Sequence, residues 1–281
     1  MAVRIVTDST ADLPRAVQQE LGISVVPLNV HFGDNVYHDQ VDISAEEFFV
    51  RLPTAHAVPR TSQPAPGDFL AVYQKLVSEG HEVLSVHISA KLSGTFQSAT
   101  MAAGMLTGGK VTLVDTMSAS WGVGFCATGA ARMAAEGRSV LEIADWCRVV
   151  AQRLHVFFGV DTLEYLQKNG RIGKAQAVLG GLIGIKPILG LVDGLVHAVD
   201  KVRGKSKVLP RVLELAAEQV PPGRKVRLAI VHGAAEAEAR AWMDAMARQY
   251  SVVEGIISSI GPVIGCHTGP GVVGAILFED V

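Results

Sequence analysis

Short apolar runs alternate along the chain with longer stretches whose apolar residues recur at helical spacing. "VRIVT" reads as a buried strand and "ISVVPLNVHF" (Ile23–Phe32) as a second. Between them Asp12 is placed to cap a helix, with Pro14 in its first turn and Gly22 at its end. "GDN" marks a turn from which "VYH" returns as a hairpin. Ser44 and Glu47 form a capping box for a helix through Leu52. "PRTSQPAPG" (Pro59–Gly67) reads as a loop, and the helix after it runs to Glu79 and stops at Gly80. "EVLSVHI" is a strand, followed by a Ser-Gly-Thr turn and a helix from about Gly94 to Leu106. "KVTLVDT" is another strand, and its helix stops at Gly137. Ser139 and Glu142 open one more helix, to about Leu154. This alternation predicts a parallel α/β sheet, whose functional edge lies at the carboxyl ends of its strands. Asp8, Ser9 and Ser93 fall at that edge.

The second half has a different rhythm. "VFFGVDT" is a strand and "LEYLQKNG" a short helix with Gly170 after it. "KPILGLVDGLVHAVDKV" holds Asp193-Gly194 between apolar runs, a strong hairpin signal. Helices over about Leu209–Gln219 and Glu236–Tyr250 alternate with "VRLAIVH" and "VVEGIISSI", and "GVVGAILFED" supplies a last strand. The fold class is therefore α/β with two domains. A parallel-sheet domain spans 1–159, and a mixed-sheet domain spans 160–281.

Composition narrows the function classes. The chain has 281 residues, 49% of them hydrophobic, and a net charge of −2. That balance argues against a nucleic-acid binder, which needs a basic surplus. It leaves ample apolar material for a core and a lined cavity. The most apolar stretch, Ala177–Val192, is interrupted by Lys186 and Pro187 and reads as buried structure, not as a membrane span. The N-terminus lacks a signal-peptide pattern, so the cytoplasm is the expected compartment. Cys126, Cys147 and Cys266 are widely spaced, and neither a disulfide framework nor a metal site is indicated.

Candidate chemistry lies in hydroxyl-rich turns. "TSQP" carries Thr61, "LSGT" carries Ser93 at a helix start, and "HTGPG" carries His267 beside two glycines. Ser93, taken alone, reads first as a helix cap and only second as a ligand for an anion at a helix N-terminus. All three residues are neutral donors, suited to one carboxylate among apolar walls. Lys201, Arg203, Lys205 and Lys207 recur every second residue, which on a strand places them on one face. Such a ladder is a solvated strand or a face for an acidic partner or phosphate. Arg171 is a further candidate for that role. "GKS" (Gly204–Ser206) lacks the rest of a P-loop, and "GVGFCA" (Gly122–Ala127) starts too far after its strand for a dinucleotide fingerprint. A Ser93–His267–Asp8 triad is conceivable on geometry alone.

"IVTDSTADLP", "TSQP", "LSGTFQSA", "DTLEYLQKNGRIG", "KPIL" and "HTGPG" occur in that order over essentially the whole chain. Together they resemble the DegV family of bacterial fatty-acid-binding proteins. The resemblance implies two α/β domains with a fatty acid buried between them and no other cofactor. It implies that Thr61, Ser93 and His267 bind the carboxylate. It further implies a partner, a separate ATP-dependent fatty acid kinase that makes the acyl phosphate, with no nucleic acid and no stable membrane insertion. Arg171 and Arg203 become candidates for the phosphorylated head group or for kinase docking. Two positions depart from the family pattern: Ala65 stands where serine is frequent, and Asn169-Gly170 stands where Gly-Gly is frequent. Asn169 tolerates the left-handed conformation that the turn requires. The alternatives are an ester or thioester hydrolase with Ser93 as nucleophile, and a carrier for another apolar acid or an isoprenoid without a kinase.

Overall fold

The computed structural model describes residues 2–178 and 184–280. In chain order the elements begin β1 (Val3–Asp8), α1 (Arg15–Leu21), β2 (Ser24–Val26), β3 (Asn29–Phe32), β4 (Asn35–His38), α2 (Ala45–Arg51) and β5 (Arg60–Ser62). They continue α3 (Pro66–Ser78), β6 (Glu82–His87), α4 (Thr95–Met105), β7 (Val111–Asp115), α5 (Trp121–Ala135) and α6 (Val140–Arg153). Next come β8 (His155–Gly159), α7 (Glu164–Lys168), β9 (Ile185–Val192), β10 (Leu195–Arg203) and α8 (Val208–Gln219). The chain finishes with β11 (Lys225–His232), α9 (Glu236–Gln249), β12 (Ser251–Ser259), α10 (Pro262–Thr268) and β13 (Val273–Glu279).

Two compact units form, and they are not contiguous halves. One comprises Met1–Asp42 and Thr61–Gln152, the other Ile43–Arg60 and Arg153–Val281. The change of unit therefore precedes Gly159, because β8 is a sheet strand of the second unit, paired with β13 and β9. The segment that carries α2 also belongs to the second unit.

In the first unit a four-stranded sheet has the order β2-β1-β6-β7, with every pair parallel. Its helices cover it with Phe69, Tyr73 and Leu76 of α3 and Ala99 and Ala102 of α4, packed with Val6, Val26 and Val83. Burial of each large apolar side chain contributes roughly 2 kcal/mol. A smaller sheet has the order β4-β3-β5. The run Ile23–Phe32, read as one strand, is thus two strands in two sheets. Pro27, which has no N–H to donate, stands at the break. The stretch Pro59–Gly67, read as loop, contains the short strand β5.

Asp12 does not cap α1, whose N-cap position is Pro14. It takes a left-handed conformation (φ 52°), and its buried carboxylate accepts the Ser120 hydroxyl at 2.5 Å. "GVGFCA" lies inside α5, so its glycines serve helix packing. The next one, Gly129, sits where a Cβ would come 2.0 Å from Trp146 Cη2.

The second unit has a six-stranded sheet of order β10-β9-β8-β13-β11-β12, parallel at β11–β12 and otherwise antiparallel. Asp193 and Gly194 (φ 50° and 73°) close the β9–β10 hairpin. Trp242, Met246, Val212 and Leu215 pack on Leu228, Ile230 and Leu277 of the sheet. Within the apolar stretch 177–192, residues 179–183 lie outside the described residues, and the portion from Ile185 forms β9. Among the described residues no helix is long and apolar enough to cross a membrane.

Candidate functional site

The parallel sheet reverses its direction of winding between β1 and β6, and ligands of such sheets bind beyond the carboxyl ends at that point. The loop leaving β6 there is stitched down residue by residue. Ile88 N–H donates to Asp8 Oδ2 (3.1 Å), Ser89 N–H to the Ser118 carbonyl (2.9 Å) and Ala90 N–H to Asp115 Oδ2 (3.2 Å). Lys91 N–H donates to Ser89 Oγ (3.2 Å), and Leu92 and Ser93 N–H both donate to the Ser89 carbonyl (2.9 and 3.1 Å). The backbone at Ser93 is therefore fixed before α4 starts.

Ser93 is not the N-cap of α4; Gly94 is, with no side-chain cap. Ser93 sits one residue earlier. Its Oγ accepts Thr95 N–H at 3.3 Å and lies 2.8 Å from Thr95 Oγ1. The capping and ligand readings of Ser93 are thus compatible, since the half-buried hydroxyl serves the first turn from outside the helix.

Thr61 lies half-buried on β5. The next residue, Ser62, accepts Asn29 Nδ2 (3.3 Å) and lies 3.0 Å from His31 Nε2. A Cβ on Gly94 would stand 3.0 Å from Gln63 Nε2, so "TSQP" and "LSGT" are packed neighbours within the first unit. Ala65, where a serine was expected, occupies the N-cap position of α3, and its N–H donates to Asp68 Oδ2 (2.8 Å).

Below this edge runs a chain of polar groups that the sequence reading missed. Tyr73 OH lies 2.8 Å from Ser85 Oγ, Ser85 Oγ 2.7 Å from His87 Nε2, and His87 Nδ1 2.9 Å from Asp8 Oδ2. Asp8 Oδ1 accepts both the N–H and the hydroxyl of Thr10. Asp8, Tyr73, Ser85 and His87 are fully buried. Burial pushes the Tyr73 phenol up, so it remains a neutral donor. The available signal was Ser85 and His87 two residues apart, two polar groups on one face of an apolar strand. Among the described residues the partners of Asp8 are His87, Ile88 and Thr10, so Asp8 is committed away from a Ser93–His267–Asp8 triad.

His267 belongs to the second unit, where it lies on α10 and not in an open turn. Gly265 of this helix abuts Phe48 and Phe49 of α2; a Cβ there would come 2.6 Å from Phe48 Cε1. Burial, and secondarily the Arg171 cation, pushes His267 down to about 3, so its imidazole is neutral with one N–H to donate. The turn before Arg171 is built differently from the expectation for Asn169. Gly170 takes the left-handed conformation (φ 68°), while Asn169 has φ −93°. The Asn169 amide Nδ2 instead donates to the carbonyls of Cys266 (2.7 Å) and Pro59 (3.1 Å). It thereby ties the end of α7 to α10 and to Pro59 within the second unit. Arg171 is exposed, and its Nη1 donates to the Asn169 carbonyl (2.9 Å).

The basic ladder is shorter than its spacing suggested. Lys201 and Arg203 are exposed on β10, but Gly204 (φ 85°) ends the strand, and Lys205–Lys207 form a 3₁₀ turn. Lys205 is bound between Asp161 Oδ1 and Glu238 Oε2, both at 3.1 Å. Among the described residues no group of three or more His, Cys, Asp or Glu is placed to hold a metal ion.

The profile described as "Uncharacterised protein, DegV family COG1307" matches residues 2–280. The chain belongs to the DegV family. A DegV domain-containing protein of Halalkalibacterium halodurans is 39% identical over 274 residues, 97% of this chain and 96% of that one. A solved DegV family protein of Thermus thermophilus, described by its fatty acid binding, is 38% identical with a TM-score of 0.94, and the match covers 100% of both chains. DegV of Bacillus subtilis, solved as a fatty acid binding protein, is 31% identical with a TM-score of 0.91, again over 100% of both chains. A parallel-sheet unit and a mixed-sheet unit are thus the DegV fold.

Proposed function

We propose that this protein binds a long-chain fatty acid and presents its carboxylate to a separate ATP-dependent fatty acid kinase. The observation that carries the reading is the packing of "TSQP" against "LSGT" through Gln63 and Gly94, in a chain that matches fatty-acid-binding DegV proteins over its full length. Thr61, Ser93 and His267 are the proposed carboxylate ligands. A buried carboxylate is costly unless hydrogen-bonded. Two hydroxyls and a neutral imidazole offset that cost without adding a buried positive charge. The acyl tail contributes roughly 0.8 kcal/mol per buried CH₂ before the costs of association. The tail therefore supplies most of the affinity, and the polar groups decide which end is held.

Acyl-phosphate formation needs a carboxylate oxygen to attack the γ-phosphorus of ATP as the bond to the ADP oxygen breaks. In this reading the kinase supplies ATP and its metal ion, and this protein supplies the oriented carboxylate, with no turnover of its own. Arg171 and Arg203, both exposed, are the proposed contacts for the phosphorylated head group or the kinase. The pairing places the protein in the cytoplasm, where ATP is available. Titration with hexadecanoic acid tests the site. Ser93→Ala and His267→Ala are each expected to weaken binding by roughly 1–3 kcal/mol. Unchanged affinity in both variants would remove the site.

A further inference from the structure

We infer that Thr95 is a positioning residue for the carboxylate, acting by fixing the direction of the Ser93 hydroxyl proton. The inference rests on the reading that Ser93 meets the carboxylate. Thr95 is fully buried in the first turn of α4, and its Oγ1 lies 2.8 Å from Ser93 Oγ. No other partner of this hydroxyl occurs among the described residues.

Two proton arrangements are available to the pair. In one, Ser93 donates to Thr95. The buried Thr95 proton is then left without an acceptor, a costly state, and Ser93 turns a lone pair towards the ligand. In the other, Thr95 donates to Ser93. The Ser93 oxygen then accepts from both the hydroxyl and the N–H of Thr95. Its own proton has nowhere to go but outward. Burial selects the second arrangement, because Thr95 has one acceptor while Ser93 is half-exposed and can reach a ligand. The N–H of Ser93 is already held by the Ser89 carbonyl (3.1 Å), so the hydroxyl rotor is the freedom left to fix. The result is a preset donor, which favours an anionic oxygen.

The test compares hexadecanoic acid with hexadecan-1-ol, which shares the tail and lacks the charge. Affinities are measured for the unmodified protein, Thr95→Val, Thr95→Ser, Ser93→Ala and the double variant. Thr95→Val is expected to weaken acid binding about tenfold and alcohol binding less than about twofold. Thr95→Ser should restore acid binding to within about threefold, and Thr95→Val should add nothing once Ser93 is alanine. Equal losses for acid and alcohol, or a full extra loss in the double variant, would overturn the inference. If Ser93→Ala weakens acid binding and Thr95→Val does not, the inference alone falls. If Ser93→Ala has no effect, Ser93 does not meet the carboxylate, and the inference falls with that part of the proposed site.

Discussion

His87 Nδ1 lies 2.9 Å from Asp8 Oδ2, joining the carboxyl ends of β1 and β6 where both side chains are shielded from solvent. The two residues are 79 apart in sequence, so this bond forms only when the parallel sheet forms. Asp8 also receives Ile88 N–H, the first link in the loop that ends at Ser93.

Replacement of Asp8 by asparagine tests that anchor. The carboxylate accepts from Thr10 N–H, the Thr10 hydroxyl, His87 and Ile88 N–H. An amide offers one acceptor oxygen and turns an NH₂ towards donors. Asp8→Asn is expected to destabilise the protein by about 3 kcal/mol in urea unfolding. A change below about 0.5 kcal/mol, the range of an ordinary surface substitution, would show that the network does not hold the edge.

A second bridge is made by a single amide. Asn169 Nδ2 donates to both the Cys266 and Pro59 carbonyls. Asn169→Ala is expected to cost about 2 kcal/mol, and Asn169→Asp more, because a carboxylate would face two carbonyl oxygens. Thermal melts of the three proteins should rank Asn169 above Ala above Asp. Equal melting temperatures would mean that the amide bridge is dispensable.

Much of this was legible in the chain because local signals and tertiary structure agree. The Ser44–Glu47 and Ser139–Glu142 boxes form as their spacing requires. Asp193-Gly194 turns the hairpin that its φ values allow. Legibility failed where a residue is claimed by a distant partner. Asp12 looks like a cap, but Ser120 holds it in the interior. Lys205 looks like a rung on a ladder, but Gly204 turns the chain and two carboxylates capture the amine. Alternation in sequence cannot reveal a left-handed glycine that breaks the strand. Likewise, the Asp8–His87–Ser85–Tyr73 chain depends on packing between β1, β6 and α3, of which only the Ser85–His87 spacing is local.

His267 gives a pH dependence with a definite sign. Its folded value is about 3, against an ordinary 6.5. The unfolded chain therefore takes up a proton below pH 6.5 that the folded chain refuses down to about pH 3. Stability from this group is complete above pH 6.5 and is lost as pH falls through that window. Between about pH 7 and pH 5 the loss is about 2 kcal/mol. His267→Gln should unfold in urea with a pH dependence smaller by that amount. An unchanged pH dependence would contradict a buried neutral imidazole.

Substitution of Arg203 tests the proposed presentation to a kinase apart from ligand binding. Arg203 is exposed at the end of β10, opposite Ile185. Arg203→Ala is expected to leave hexadecanoic acid affinity within about twofold, as a surface substitution away from the ligand should. It should lower acyl-phosphate formation with a fatty acid kinase and ATP. Undiminished turnover would make Lys201 and Arg203 a solvated strand face and nothing more.

The central claim is that the protein carries a fatty acid, and mass spectrometry of an organic extract tests it most directly. The protein is purified without added lipid, and the extract is quantified against protein concentration. The account predicts about one long-chain fatty acid per chain. An extract without fatty acid, from a protein that also takes up none on titration, would contradict it.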